Sequence, residues 1–176
     1  MMRVKDKNFV EYLSPLEIHS IVARMANDVK RDYQGKNPLF LVMLNGAFVY
    51  AADFLREMDV SCEVQFVKYA SYEGMCSTGV LKPIVPIQND IKGRDVIILE
   101  DIVDTGMTMS NILKMMKELE PKSVAIASLF CKPEVLQGRV DIKYLGMPLP
   151  NKYVVGFGLD YDGFGRNLPG LYILED

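Results

Sequence analysis

Three features of this sequence predict an α/β fold, a mostly parallel twisted sheet flanked by helices. Strand-like and helix-like segments alternate along the chain, which gives parallel strands joined by right-handed crossovers. Residues 96–99, Val-Ile-Ile-Leu, form an unbroken apolar run, as a strand covered on both faces requires. That run passes through two acids and a turn of small residues into the helical spacing of Ile112, Leu113, Met116 and Leu119.

The elements follow in order. Ser14-Pro15-Leu16-Glu17 predicts a helix start, with Ser14 as cap, Pro15 at the first helical position and Glu17 completing a capping box. Ile18, Ile21, Val22, Met25 and Val29 then share one face, so this helix packs on the sheet. Residues 39–44 predict an apolar strand ending at Asn45-Gly46, and residues 47–58 the helix after it. Residues 63–69 alternate weakly and predict a strand, while residues 70–82 predict a long flexible loop. The central strand is expected over 95–99, and another over 123–131 after Pro121 has broken the intervening helix. Ligands of such sheets bind beyond the carboxyl ends of the strands, so Asn45, Glu100 and Lys132 are expected to converge there.

Bulk properties narrow the class. A chain of 176 residues, 49% hydrophobic and 24% charged, predicts one globular domain with a proper core. A net charge of −3 gives no electrostatic reason for a nucleic-acid or anionic-membrane partner. Residues 1–12 mix charged and apolar side chains, unlike a signal peptide, and no apolar run approaches the roughly 20 residues of a spanning helix. Cys62, Cys76 and Cys131 are widely spaced, and His19 stands alone beside the first helix's apolar face. This argues against structural zinc and for a reduced, cytoplasmic setting, with His19 structural or at the surface.

The most informative stretch is Leu99-Glu100-Asp101-Ile102-Val103-Asp104-Thr105-Gly106-Met107-Thr108. A strand entering a helix through small residues presents free N–H groups and the positive end of a helix dipole, which suits a phosphate. Thr105, Thr108 and Ser110 add hydroxyl donors, and Gly106 permits close approach or a positive φ. Glu100 and Asp101 only accept, so they face ribose hydroxyls or a divalent cation instead. The segment calls for a phosphorylated sugar.

This run resembles the phosphoribosyl-pyrophosphate (PRPP) loop of type I phosphoribosyltransferases. It has neither the lysine of a Walker loop nor the three spaced glycines of a dinucleotide fold. Further segments, spanning roughly residues 39–166, resemble the hypoxanthine-guanine branch of that family in the right order. The resemblance implies a single domain over 1–176, with a core of about residues 35–135. A small hood would be built from the N-terminal segment and about residues 140–176. It implies Mg2+ as cofactor, PRPP and a 6-oxopurine as substrates, no nucleic acid or membrane partner, and a homodimer or homotetramer.

Residue by residue, the resemblance makes Asp104 the general acid/base toward the purine N7. The loop Asp104, Thr105, Gly106, Met107 and Thr108 would hold the 5′-phosphate, and Glu100 and Asp101 the ribose and metal. Leu44-Asn45-Gly46 resembles the pyrophosphate loop, where the family carries a basic residue in place of Asn45, so a cation beside pyrophosphate is missing. Ser71-Tyr72 resembles the pair in a mobile active-site loop that closes over ligands; without the resemblance it reads equally as an ordinary loop. Lys132 matches the lysine donating to the purine 6-oxygen; taken alone it reads as a solvated strand-end lysine. Tyr153 matches the aromatic that stacks on the base, with the Val154 main chain at the base edge; unaided, Tyr153 and Val155 read equally as a strand's core face. Asp160 matches an acid that helps hold magnesium beside the purine, and Arg166 an arginine near pyrophosphate.

The reaction implied is transfer of the phosphoribosyl group from PRPP to hypoxanthine, and to guanine, in purine salvage. Two other classes are weighed against it. A PRPP- or nucleotide-sensing regulator on the same fold would bind nucleic acid, against the net negative charge. A phospho-acceptor receiver would carry its acid pair on the first strand and leaves Asp104-Thr105-Gly106-Met107-Thr108 unexplained.

Overall fold

The computed structural model describes residues 1–71, 81–88, 90–136 and 140–175. In chain order the elements are β1 (Met2–Val4), β2 (Lys7–Leu13), α1 (Pro15–Asp32), β3 (Leu39–Met43), α2 (Phe48–Glu57), β4 (Glu63–Ser71), β5 (Leu81–Val85) and β6 (Asp95–Val103). There follow α3 (Met107–Glu118), β7 (Ser123–Cys131), α4 (Pro133–Leu136), β8 (Tyr144–Pro148), β9 (Val154–Val155) and β10 (Leu171–Leu174).

The larger sheet runs β5-β4-β3-β6-β7-β8. Neighbouring strands from β4 through β8 are parallel, and β5 is an antiparallel edge. Pro83 in β5 suits an edge, where a missing N–H costs no ladder bond. Every side chain of β3 is buried, as are Val96, Ile97, Ile98 and Leu99 of β6. Each fully buried aliphatic of this kind contributes about 1.5–3 kcal/mol.

Helix α1 starts on the predicted capping box: Ser14 N–H donates to Glu17 Oε2 at 2.8 Å, and Glu17 N–H to Ser14 Oγ at 3.4 Å. It buries Ile18, Val22, Met25, Ala26 and Val29 and packs against α2. Tyr50 and Phe54 of α2 meet edge to face at 5.6 Å, and Phe54 meets Phe40 of β3 at 5.9 Å. Such locked aromatics hold the start of α2, and with it the Asn45-Gly46 turn. His19 is exposed, 4.0 Å from Glu57.

The first and last strands form a second sheet, ordered β1-β2-β10-β9. It closes over its own small cluster of Val4, Phe9, Val155 and Tyr172. Strand β9 lies at its edge and positions Tyr153 and Val154.

Several boundaries differ from the sequence reading. Strand β6 does not stop at Leu99 but runs to Val103, so Glu100 and Asp101 lie inside the strand. The reason is β7: Glu100 pairs with Ser128, Ile102 with Phe130 and Val103 with Cys131, which keeps the ladder closed past the acids. Of the loop expected over 70–82, residues 70–71 belong to β4 and residues 81–82 to β5. Tyr72 lies outside the described residues, and so does the expected closing motion of the Ser71-Tyr72 loop.

Candidate active site

Three chain segments meet beyond the carboxyl ends of β3, β6 and β7, and a fourth arrives from the smaller sheet. Period-two alternation along β6 sets Glu100, Ile102 and Asp104 to one side. The loop after β6 turns at Gly106, whose φ of 76° only glycine adopts without strain. It opens α3 with no side-chain cap, and Ser110 N–H bonds to Gly106 O at 2.9 Å. Residues 102–109 with Glu100 line a cavity of about 180 Å³. Backbone donors, a helix N-terminus and the Thr105 and Thr108 hydroxyls there form an anion cradle.

Asp101 is 8% exposed and accepts from Ile102 N–H at 2.9 Å. Its own N–H donates to Glu100 Oε1 at 3.3 Å. Burial, reinforced by the neighbouring Asp101 charge, pushes the Glu100 carboxyl well above the usual carboxylate range. Burial also raises Asp101. Neither acid has an ion-pair partner within 4.0 Å among the described residues, although the Arg166 charge acts favourably on Asp101. A buried, uncompensated carboxylate pair of this kind is suited to a hard cation. Asp160 does not join it: the described residues hold no cluster of three acids able to bind a metal. Arg166 Nη2 pairs with Asp160 Oδ1 at 2.6 Å, and Gly163 N–H donates to Asp160 Oδ2 at 2.7 Å.

A second cavity of about 190 Å³ adjoins the first, sharing Ile102 and Asp104, and is lined further by Lys132, Tyr153, Val154, Leu159 and Asp160. Lys132 follows β7, its N–H bonded to Val103 O at 3.1 Å. Its side chain is 12% exposed and its Nζ lies 3.4 Å from Asp104 Oδ2. This is no solvated surface lysine. Tyr153 is 57% exposed, so the core-face reading fails for it, whereas Val155 is buried. The Tyr153 ring meets Tyr161 edge to face at 5.8 Å. Because β9 is an edge strand, its outer backbone groups lie outside the ladder.

Asn45-Gly46 sits between β3 and α2. An added Cβ on Gly46 would overlap the Asp101 carboxylate, and one on Gly158 would overlap the Gly46 carbonyl. Arg166 Nη1 donates to Gly158 O at 2.7 Å. The Asn45-Gly46 turn is thus packed between the Asp101 side chain and the Gly158 backbone, to which the Arg166 side chain is tied.

Sequence reasoning missed Ile102 and Leu159 as walls, Tyr161 beside Tyr153, and Lys68, whose Nζ lies 3.2 Å from Asn45 Oδ1. Ile102 was recoverable from the alternation of β6. Lys68 was not, because its place depends on the β3–β4 register, in which Met43 faces Val67.

A parallel sheet carrying an acid pair and a Gly106 anion cradle, beside a lysine–aromatic cleft, defines a phosphoribosyl-transferring class. Residues 11–162 match the phosphoribosyl transferase domain, and the chain belongs to that family. It is 38% identical over 161 residues to a hypoxanthine-guanine phosphoribosyltransferase of Streptococcus pneumoniae, covering 91% of this chain and 89% of that relative. A relative with the same description from Streptococcus thermophilus is 39% identical over 153 residues, covering 86% of this chain and 85% of its own. Among solved structures, a hypoxanthine phosphoribosyltransferase from Staphylococcus aureus superposes with a TM-score of 0.90 at 31% identity, covering 94% of this chain and 91% of that one. One from Trypanosoma cruzi, in complex with the product IMP, gives a TM-score of 0.90 at 26% identity, covering 99% of this chain and 98% of that one.

Proposed function

We propose that this chain transfers the 5-phosphoribosyl group from PRPP to hypoxanthine, and to guanine, releasing pyrophosphate and giving IMP or GMP. The observation that carries this is the Lys132–Asp104 pair in the Tyr153-lined cleft that adjoins the cradle. A donor and a carboxylate side by side match a ring bearing an oxygen at position 6 and a protonatable N7. An amino group at position 6 would set donor against donor, so adenine is rejected.

In this reading the cradle 104–108 takes the 5′-phosphate and fixes C1 between the two cavities. Glu100 and Asp101 accept the ribose hydroxyls. Tyr153 stacks on the purine, a contact worth about 1–3 kcal/mol for bases on aromatics, and the Val154 main chain meets its edge. Asp104 exchanges the N7 proton. Asn45, Gly46 and Arg166 face the leaving pyrophosphate, with Asp160 holding Arg166 in place.

Mg2+ fits the Glu100–Asp101 oxygens, two hard ligands that leave the remaining positions to substrate and water. When bound, it would neutralise charge on the departing pyrophosphate. A homodimer or homotetramer in a reducing cytoplasm is the assembly and setting proposed, and light scattering after gel filtration tests the former. The thiols of Cys62 and Cys131 are free, as that setting requires.

Initial rates with PRPP, Mg2+ and each of hypoxanthine, guanine, xanthine and adenine test the reading. Turnover with the 6-oxopurines and none with adenine is the expected result. No turnover with any base, despite thermal protection by PRPP, would leave a sensor in place of an enzyme.

A further inference from the structure

The pyrophosphate loop poses an electrostatic problem. Asp101 lies directly behind Gly46, so a leaving group carrying several negative charges would settle next to a carboxylate. Asn45 brings only a neutral amide to the same turn. Arg166 reaches the neighbourhood but is paired with Asp160 at 2.6 Å, which cancels most of its charge. Mg2+ on the Glu100–Asp101 pair would offset part of this charge, but the Leu44-Asn45-Gly46 turn brings no cation of its own to the pyrophosphate.

Strand register delivers it from elsewhere. Strands β3 and β4 run parallel with Met43 opposite Val67, and Leu44 N–H extends the pairing to Val67 O at 2.8 Å. Strand β3 ends there and the chain turns at Asn45, while β4 runs on with Lys68 paired to Val85 of β5, which sets Lys68 beside Asn45. Lys68 Nζ donates to Asn45 Oδ1 at 3.2 Å. Among the described residues Lys68 has no carboxylate within 4.0 Å. An ammonium on the carbonyl oxygen of an amide turns the amide's own N–H groups the other way and polarises them, so both groups present positive charge to an anion.

We propose that Lys68 binds the pyrophosphate end of PRPP, supplying from β4 the charge that Asn45 lacks. This rests on the phosphoribosyl transfer proposed above. Lys68 and Asn45 act as one unit, the lysine giving charge and the amide giving directed donors. In this arrangement the positive charge beside the turn comes from the adjacent strand.

The test compares Lys68→Met and Lys68→Gln with the wild type in both reaction directions. Loss of one charge-assisted contact raises KM for pyrophosphate in the reverse reaction, and KM for PRPP in the forward one, by about 10- to 100-fold. The KM values for hypoxanthine and the melting temperature are expected to stay near wild type. Adding Asn45→Lys to Lys68→Met is expected to recover most of the lost affinity. Unchanged pyrophosphate constants, or equal shifts in the pyrophosphate and purine constants, overturn the inference. So does full activity of Lys68→Gln, which would make the contact a neutral hydrogen bond. A wild type that turns over no purine overturns the underlying reaction itself, an outcome seen before any variant is made.

Discussion

Glu100 shows what burial beside a second acid does to one side chain. Its carboxyl is pushed well above the usual range by burial, so the folded state holds a proton that the unfolded chain releases. Stability is therefore full below the ordinary glutamate value and falls as pH rises toward the raised one. Without divalent cation, the melting temperature should drop as pH rises above the ordinary glutamate range. Glu100→Gln should flatten that slope, raising the melting point at the alkaline end by at least about 2 °C, and scanning calorimetry reads both. Asp104 makes the complementary case in kinetics. Asp104→Asn should lower kcat by about 10²- to 10⁴-fold with little change in KM for PRPP. Equal losses in both would remove its proton-transfer role. At this scale the sequence was most legible where chemistry is contiguous, as in Asp104-Thr105-Gly106-Met107-Thr108. The 3.4 Å approach of Lys132 to Asp104 was not, since it depends on two strands being held in register.

Among the elements, β6 was recognised by its apolar run but ended four residues early. Acids at 100 and 101 look like a loop to any local reading; only the partner strand shows that they are held inside a ladder. Strand β5 was missed because Pro83 argues against a strand everywhere except at an edge. Strand β9 has two residues, too few for any periodicity to show. Helix α1, by contrast, was readable from cap to core face because both signals are local. The turn between β3 and α2 yields a sharp expectation. Gly46→Ala sets a methyl into the Asp101 carboxylate, so the turn or the acid must shift. The variant should keep its far-ultraviolet circular dichroism yet lose most PRPP turnover. Retention of normal KM for PRPP would show that the turn has slack.

For the molecule as a whole, the loop after the larger sheet's β6 lines the first cavity, and both sheets line the second, with Ile102, Asp104 and Lys132 facing Tyr153 and Val154. Their junction at the site includes the Gly158–Gly46 backbone contact, tied by Arg166. PRPP with Mg2+ should therefore stabilise the whole fold cooperatively, by about 2.7 kcal/mol at a hundredfold excess over Kd. A single melting transition checks this; two resolved transitions would mean the sheets respond separately.

The contact of Gly158 with Gly46 has a consequence for how the two ends inform each other. Neither glycine has a side chain to flex, so displacement of one peptide unit is felt directly by the other. A purine settling against Val154 and Leu159 restrains that segment, and part of the ordering cost of the opposite turn has then already been met. The two ligands are expected to bind with positive heterotropic linkage, equal in both directions. Amide hydrogen exchange offers the readout: with IMP bound, the N–H of Ala47, bonded to Met43 O at 3.2 Å, should exchange more slowly than in the free protein. Unchanged exchange at Ala47 would mean that the two ends respond independently.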